Sequence, residues 1–256
     1  MTIREQIEAR EKAYYSPYAK LASDSRGREK PEEECPYRTA FARDRDRIIH
    51  SNSYRRLMHK TQVFLSPEGD HYRTRMTHTA EVCQIALTIS KGLALNEDLT
   101  EAIAMGHDLG HTPFGHCGER ALNAVCSEGF EHTAQSVRVV EYIERGGRGL
   151  NLTWEVKNGI ACHSSSCPWA ETLEGRVVRY ADKIAYLNHD IHDAIRAEVL
   201  QPGDIPWDVT YVLGRGKSQR ITTLVASLLE TSGETIQMAP EVEKALWKLR
   251  EFMFEA

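Results

Sequence analysis

Apolar and polar positions alternate along this chain with a helical period over most of its length. Val82, Ile85, Ala86, Ile89 and Leu93 recur on one face of a segment opening near Thr77, which predicts an amphipathic helix with His78 in its first turn. Asp98-Leu99-Thr100-Glu101 has the spacing of a capping box and predicts the start of the next helix, whose last turn carries His107 and Asp108 before Gly110 and Pro113 break it. Further helices are expected over 3–14, from Thr39 to Leu57, from His132 to Glu144 with Gly146-Gly147 as the stop, and from about Trp154 to His163. The longest, Leu173 to Ala197, turns Val177, Val178, Ala181, Ile184, Ala185, Ile191 and Ala194 inward and sets Asp182, Tyr186 and Asp190 along one stripe. Tyr15 to Pro36 reads as an irregular arm, and Gln62-Val63-Phe64-Leu65 followed by Ser66-Pro67-Glu68-Gly69-Asp70 is the one strand-and-turn signal. The expected fold class is all-α, a helical bundle with a site between its helices.

Composition narrows the setting. With 256 residues, 41% hydrophobic and 27% charged, the chain can bury a substantial core as one large domain or two intimately packed parts. The division expected is an N-terminal helix and arm over 1–37, a core over 38–200, and a C-terminal helical segment over 201–256 that stops in a helix already under way, as a truncated or naturally short form does. Cys35, Cys83, Cys117, Cys126, Cys162 and Cys167 form no CxxC pair and no secretory signal opens the chain, so a reducing cytoplasm is expected. No apolar run approaches bilayer length, and a net charge of −5 argues against a surface that coats nucleic acid generally. One basic stretch stands out, with Arg38, Arg43, Arg45, Arg47, Arg55, Arg56 and Lys60. Alone it reads as a solvated, ion-paired face, but its place just before a ligand-rich region shifts the reading toward phosphate binding.

That region is His107-Asp108-Leu109-Gly110-His111-Thr112-Pro113-Phe114-Gly115-His116, preceded by His78 and followed by His132 and Asp182. His107 and Asp108 supply a nitrogen and an oxygen ligand from one turn, and His78 and Asp182 lie on separate periodic helices, so four ligands from three helices can converge on one ion. Asp182 alone would read as a helix-surface ion pair with Lys183 or a neighbour of Tyr186. His116 and Glu119, three apart after the Pro113 turn, would face the same way on a helical start and share a proton. His111 and His132 have bland readings as the end of one helix and the opening of the next. Cys162-His163-Ser164-Ser165-Ser166-Cys167 lacks the second pair that a zinc site needs and reads as a loop. His71, His163, His189 and His192 read as surface residues or supports behind the site.

His78, His107-Asp108 and Asp182 resemble the H…HD…D signature of the HD-domain metal-dependent phosphohydrolases, an all-helical superfamily. Tyr54-Arg55-Arg56-Leu57, Lys60-Thr61-Gln62-Val63, Arg75-Met76-Thr77-His78-Thr79, the His107 to His116 block, Glu131-His132-Thr133-Ala134-Gln135-Ser136 and Tyr180-Ala181-Asp182-Lys183-Ile184-Ala185-Tyr186-Leu187 narrow the likeness further. In that order they resemble deoxyguanosinetriphosphate triphosphohydrolase and its relatives. The resemblance implies hydrolysis of a deoxynucleoside triphosphate (dNTP) at the α-phosphorus to the deoxynucleoside and inorganic triphosphate. It implies His78, His107, Asp108 and Asp182 as metal ligands, a mixed set suiting Mn, Fe, Co, Ni or Zn, with Mg arriving on the substrate. It makes His116 and Glu119 catalytic, with His111 and His132 at phosphate oxygens or the leaving 5′-oxygen. Arg75 and Lys183 are then expected at the phosphates, and Gln62, Tyr186 and Asp190 at the deoxyribose, where a tyrosine against C2′ excludes a 2′-hydroxyl. Family members commonly form homo-oligomers and some bind nucleic acid, although neither has a sign in this sequence. Two other readings remain open at this stage, an HD-superfamily nucleotidase or phosphodiesterase and a non-enzymatic nucleotide-sensing module.

Overall fold

Short polar signals set where each helix begins. The computed structural model describes residues 1–62 and 73–255. Helix α1 (Ile3–Tyr14) opens on a capping box in which the Thr2 hydroxyl accepts from the Glu5 amide and the Glu5 carboxylate accepts from the Thr2 amide. After the arm, α2 (Ala40–Ile49) and α3 (Asn52–Arg56) replace the single helix expected from Thr39 to Leu57. Ser51 is the reason: its extended backbone breaks the run and its hydroxyl accepts from the Tyr54 amide, so the chain restarts. Then come α4 (Arg75–Gly92), α5 (Glu97–Gly106), α6 (Gly115–Val125) and α7 (His132–Arg138), the last passing through a π turn at Val139–Ile143 into α8 (Glu144–Gly147). The chain finishes with α9 (Trp154–Ala161), α10 (Leu173–Arg196), α11 (Trp207–Leu213), α12 (Lys217–Thr231) and α13 (Pro240–Glu255).

The described residues contain no strand, only isolated bridges joining Arg28 to Thr153 and Thr61 to Thr74. The strand-and-turn signal beyond Gln62, and His71, lie outside the described residues. A second correction concerns α5, which is capped by Asn96 rather than Asp98: the Asn96 side-chain oxygen accepts from the Leu99 amide at 3.1 Å. Asp98 lies inside the first turn instead and accepts from Arg45 of α2 at 2.7 Å.

Packing places the site. Helices α4, α5 and α10 lie against one another, α2 crosses α5, and α9 closes on α5 and α10. The inward faces read from periodicity are buried, Val82, Ile85, Ala86 and Ile89 on α4 and Val177, Val178, Ala181, Ile184, Ala185, Ile191 and Ala194 on α10. Each fully buried Leu or Ile contributes about 1.5–3 kcal/mol of transfer free energy, so this three-helix contact is the main apolar anchor of the site. Gly159 allows α9 to come close, since a Cβ there would sit 2.4 Å from Ile103 Cδ1.

Buried carboxylates fasten the arm. Glu11 accepts from the Ala22 amide at 3.0 Å, Glu174 from the Lys20 amide at 3.0 Å and Glu155 from the Arg26 amide at 2.8 Å. Asp44 pairs with Arg28 and accepts from the Thr153 amide at 2.7 Å. Four arginines of the basic stretch are taken up by ion pairs, which corrects the phosphate-binding expectation for Arg38, Arg43, Arg45 and Arg47. Arg38 binds Asp46, Arg43 and Arg47 bind Glu32, and Arg45 binds Asp98 and Glu101. Asp98 and Glu101, remote in sequence, meet Arg45 only in the fold. No helix among the described residues is long and apolar enough to cross a membrane.

Candidate metal centre and adjoining histidine cluster

Three helices deliver the four expected ligands. His78 lies in the first turn of α4, His107 caps the C-terminal end of α5 with Asp108 following it, and Asp182 sits within α10. His78 Nε2 is 3.2 Å from Asp182 Oδ1 and 3.8 Å from Asp108 Oδ2, while His107 Nε2 is 3.7 Å from Asp108 Oδ2 and 4.0 Å from Asp182 Oδ1. Asp182 is therefore turned to the histidines and not to Lys183. His107 Nδ1 lies 2.7 Å from the Ala104 carbonyl oxygen, which only accepts, so the ring proton is there and Nε2 carries a lone pair. That Nε2 is buried and has no hydrogen-bond partner among the described residues. A bare imidazole nitrogen facing two carboxylates in a buried site fits a divalent cation.

The surroundings tune these groups. Burial opposes ionisation of Asp108, but the Arg75 guanidinium and then His107, His111 and His78 outweigh it and hold the carboxyl well below its ordinary range. Asp182 follows the same pattern: burial is overcome by the bond and charge of His78 and by His107, and its carboxyl is also held below the ordinary range. Burial pushes the His78 imidazolium toward the neutral form, which leaves a nitrogen free to ligate. His78 Nδ1 in turn meets His189 Nε2 at 2.9 Å, an orienting contact behind the ligand. Arg75, buried on the first turn of α4, donates to Asp108 Oδ2 at 2.8 Å. The turn carrying Asp108 is braced on α7, where the Gly110 amide donates to Ser136 Oγ at 2.9 Å and Ser136 Oγ donates to the His107 carbonyl at 2.8 Å. Only glycine permits this approach, because a Cβ at Gly110 would lie 2.2 Å from the Ser136 nitrogen.

A second cluster adjoins the first. Glu119 on α6 accepts through Oε1 from both the backbone amide and Nδ1 of His132, each at 2.8 Å, and its Oε2 is 3.3 Å from His116 Nδ1. The His111 ring lies 4.7 Å from that of His132 and 5.7 Å from that of His116. Burial would raise the Glu119 carboxyl, but the bonds from His132 overcome it and bring it down to about 2. Glu119, with the charges of Asp108 and Asp182, in turn overcomes burial at His132 and raises its imidazolium. Burial, with Arg75, drives His111 down to about 2, so it is a neutral imidazole. The four residues expected at this position are thus brought together, with His116 exposed on the outside and the others within.

The remaining expected residues divide. Gln62 is buried beside Arg75 at the start of α6: a Cβ on Gly115, whose φ is +54, would lie 3.1 Å from the Gln62 carbonyl oxygen and 3.4 Å from Arg75 Nη2. Tyr186 is close enough to feel the charges of both Asp182 and Asp190, as the stripe on α10 requires, and burial raises its phenol to about 12. Asp190 Oδ1 lies 3.0 Å from His189 Nδ1. The Lys183 ammonium lies 4.4 Å from the centre of the Trp247 ring on α13; burial and Arg179 lower it to about 8.

Two histidines read from the sequence as surface residues or supports, His189 and His163, lie behind the site, and Arg250, not read at all, adjoins it. His189 lies two turns beyond Asp182 on α10, a spacing that signals the same face. His163, at the end of α9, is buried with its Nε2 3.2 Å from His132 Nε2 and its ring edge-on to His107 at 5.0 Å. Its loop is not loose, because Arg179 donates to the carbonyls of Ser165, Cys167 and Pro168. Arg250 on α13 is close enough to Tyr186 for its charge to oppose the burial that raises the phenol, and it carried no signal beyond its helix.

Comparison with known proteins places this constellation. The family model for the HD domain matches residues 75–187, a span that holds His78, His107, Asp108 and Asp182. The chain is 57% identical over its whole length to a deoxyguanosinetriphosphate triphosphohydrolase-like protein of Caldanaerobacter subterraneus subsp. tengcongensis, of which it covers 76%. It is 52% identical to the protein so named in Desulfatibacillum aliphaticivorans, over 99% of this chain and 76% of the relative. With the one from Clostridium tetani it shares 49% identity over the full chain and 76% of the relative. The chain belongs to the family of HD-domain, deoxyguanosinetriphosphate triphosphohydrolase-like proteins.

Proposed function

We propose that the protein hydrolyses deoxynucleoside triphosphates to the deoxynucleoside and inorganic triphosphate. The observation that carries this reading is the pairing of two clusters: four ligand side chains with a bare, buried His107 Nε2, and beside them a proton-handling His116–Glu119–His132 set. The names of the relatives support it. His78, His107, Asp108 and Asp182 would hold a divalent ion, which when bound supplies Lewis acidity toward water and an α-phosphate oxygen.

The protein's own groups do the rest. Water oxygen attacks the α-phosphorus, the bond to the 5′-oxygen breaks, and that oxygen takes a proton. His116, exposed and oriented by Glu119, is placed to carry it, and His132 secures Glu119 in its ionised form. His111, neutral and buried with Nδ1 3.4 Å from the Thr112 carbonyl oxygen, would border the phosphates beside His132 and His116. Arg75 answers the phosphate charge from the first turn of α4, with Lys183 and Arg250 approaching from the α10–α13 side. Tyr186 against C2′, with Gln62 and Asp190 at the sugar, selects deoxyribose over ribose. The test is incubation with each of the four dNTPs and GTP in Mn²⁺ or Mg²⁺, with products resolved by ion-pair chromatography. Deoxynucleoside with intact triphosphate is expected. Silence on dNTPs with phosphate released from nucleoside monophosphates would overturn the reading in favour of a nucleotidase.

A further inference from the structure

We propose that His163 is a positioning residue for this reaction, fixing the ring of His132 and through it the Glu119 carboxylate that orients His116. The inference rests on the reading of His116 and Glu119 as the proton-handling pair. His163 Nδ1 lies 2.7 Å from the Ile160 carbonyl oxygen, an acceptor only, so Nδ1 carries the proton of the neutral ring. Its Nε2 is then a lone pair, 3.2 Å from His132 Nε2. Two ring nitrogens at that separation need one proton between them, and His163 has none there to give, so His132 donates. At its other nitrogen His132 donates to Glu119 Oε1 at 2.8 Å.

The His132 ring is thereby held at both edges. Without His163, a ring anchored only through Nδ1 and its amide is free to tilt, and Glu119 loses the fixed partner that presents Oε2 to His116. The elements explain why this position can impose order. His163 closes the C-terminal end of α9, is 2% exposed, and sits in a loop clamped by Arg179, so the acceptor is rigid before any substrate arrives. The edge-on contact with His107 makes the same ring a wall between the ligand histidine and the proton-handling cluster.

His163→Ala and His163→Gln test the role in the full-length chain, the glutamine keeping an acceptor near the position of Nε2. Long-range ¹⁵N–¹H spectra of the imidazoles read the hydrogen bond without recourse to activity. The wild-type His163 should show the Nδ1–H tautomer, and His163→Ala should shift the His132 ring nitrogens. Mn²⁺ affinity should stay near the wild-type value in both variants, kcat for dNTP should fall about 10–100-fold in His163→Ala with KM little changed, and His163→Gln should recover most of it. An Nε2–H tautomer at His163, unchanged His132 resonances, or a loss of Mn²⁺ binding equal to the loss of rate would each overturn the proposal. If the wild-type protein turns over no dNTP, the functional reading fails, while the imidazole spectra still decide the His163–His132 bond.

Discussion

Each histidine near the centre acquires its role from the neighbour that claims one of its ring nitrogens. The Ala104 carbonyl leaves His107 Nε2 bare, and His189 holds His78 at Nδ1 so that Nε2 faces the carboxylates. Contacts of the second kind orient ligands without touching the ion, and their loss typically costs about 10–100-fold in metal affinity. His189→Ala is therefore expected to weaken Mn²⁺ binding by about that factor while Asp182→Ala abolishes it, read by equilibrium metal titration. Unchanged affinity in His189→Ala would show that His78 needs no such support. At this scale the convergence of His78, His107, Asp108 and Asp182, and of His116 with Glu119, was legible, because each shares a short motif or a helical spacing with another candidate. His163 was not: it is a lone histidine beside two cysteines, and its partners His132 and His107 meet it only through the packing of α9 against α5 and α7.

Helices were legible wherever the apolar period ran unbroken, as on α4 and α10, and least so where a single polar residue decides a boundary. Ser51 splits α2 from α3, and Asn96 rather than Asp98 caps α5, since a capping spacing does not reveal which of two neighbouring polar residues adopts the extended backbone. The difference has a measurable consequence. Asn96→Ala should cost about 1 kcal/mol in denaturant unfolding, and Asn96→Ser should restore most of it, at any ionic strength. Asp98→Ala removes the ion pair with Arg45, so its cost should shrink in 1 M salt, where the Debye length is about 3 Å. A salt-sensitive Asn96→Ala or a salt-insensitive Asp98→Ala would reverse the two assignments. The boundary matters to function because α5 ends at His107, and a cap that fixes its start also fixes the register of the ligand.

Across the whole molecule, buried carboxylates join the arm to the bundle, and they make stability depend on pH. Burial raises the Glu174 carboxyl from 4.5 to about 7 despite the backbone bonds from Asn96 and Lys20 that favour its ionised form. A carboxyl raised on folding binds its proton more tightly in the native state, so its contribution is complete below 4.5 and is lost as pH rises through about 7. Glutamine mimics the protonated form at the Oε2 atom that lacks a partner. Glu174→Gln should match the wild type near pH 4 and exceed it at pH 8 by an amount on the order of 3 kcal/mol, measured by denaturant unfolding at each pH. A difference that is constant with pH would contradict the assignment. The all-α architecture was legible from periodicity alone, whereas this network was not, since Glu11, Asp44, Glu155 and Glu174 are scattered along the chain and converge only when the arm folds back.

The central claim is that the paired clusters direct water to the α-phosphorus of a deoxynucleoside triphosphate. Turnover in ¹⁸O-labelled water, with products analysed by mass spectrometry, tests it most directly. One ¹⁸O atom in the inorganic triphosphate and none in the deoxynucleoside is the predicted result. Label in the deoxynucleoside, or stepwise release of labelled monophosphate, would contradict it.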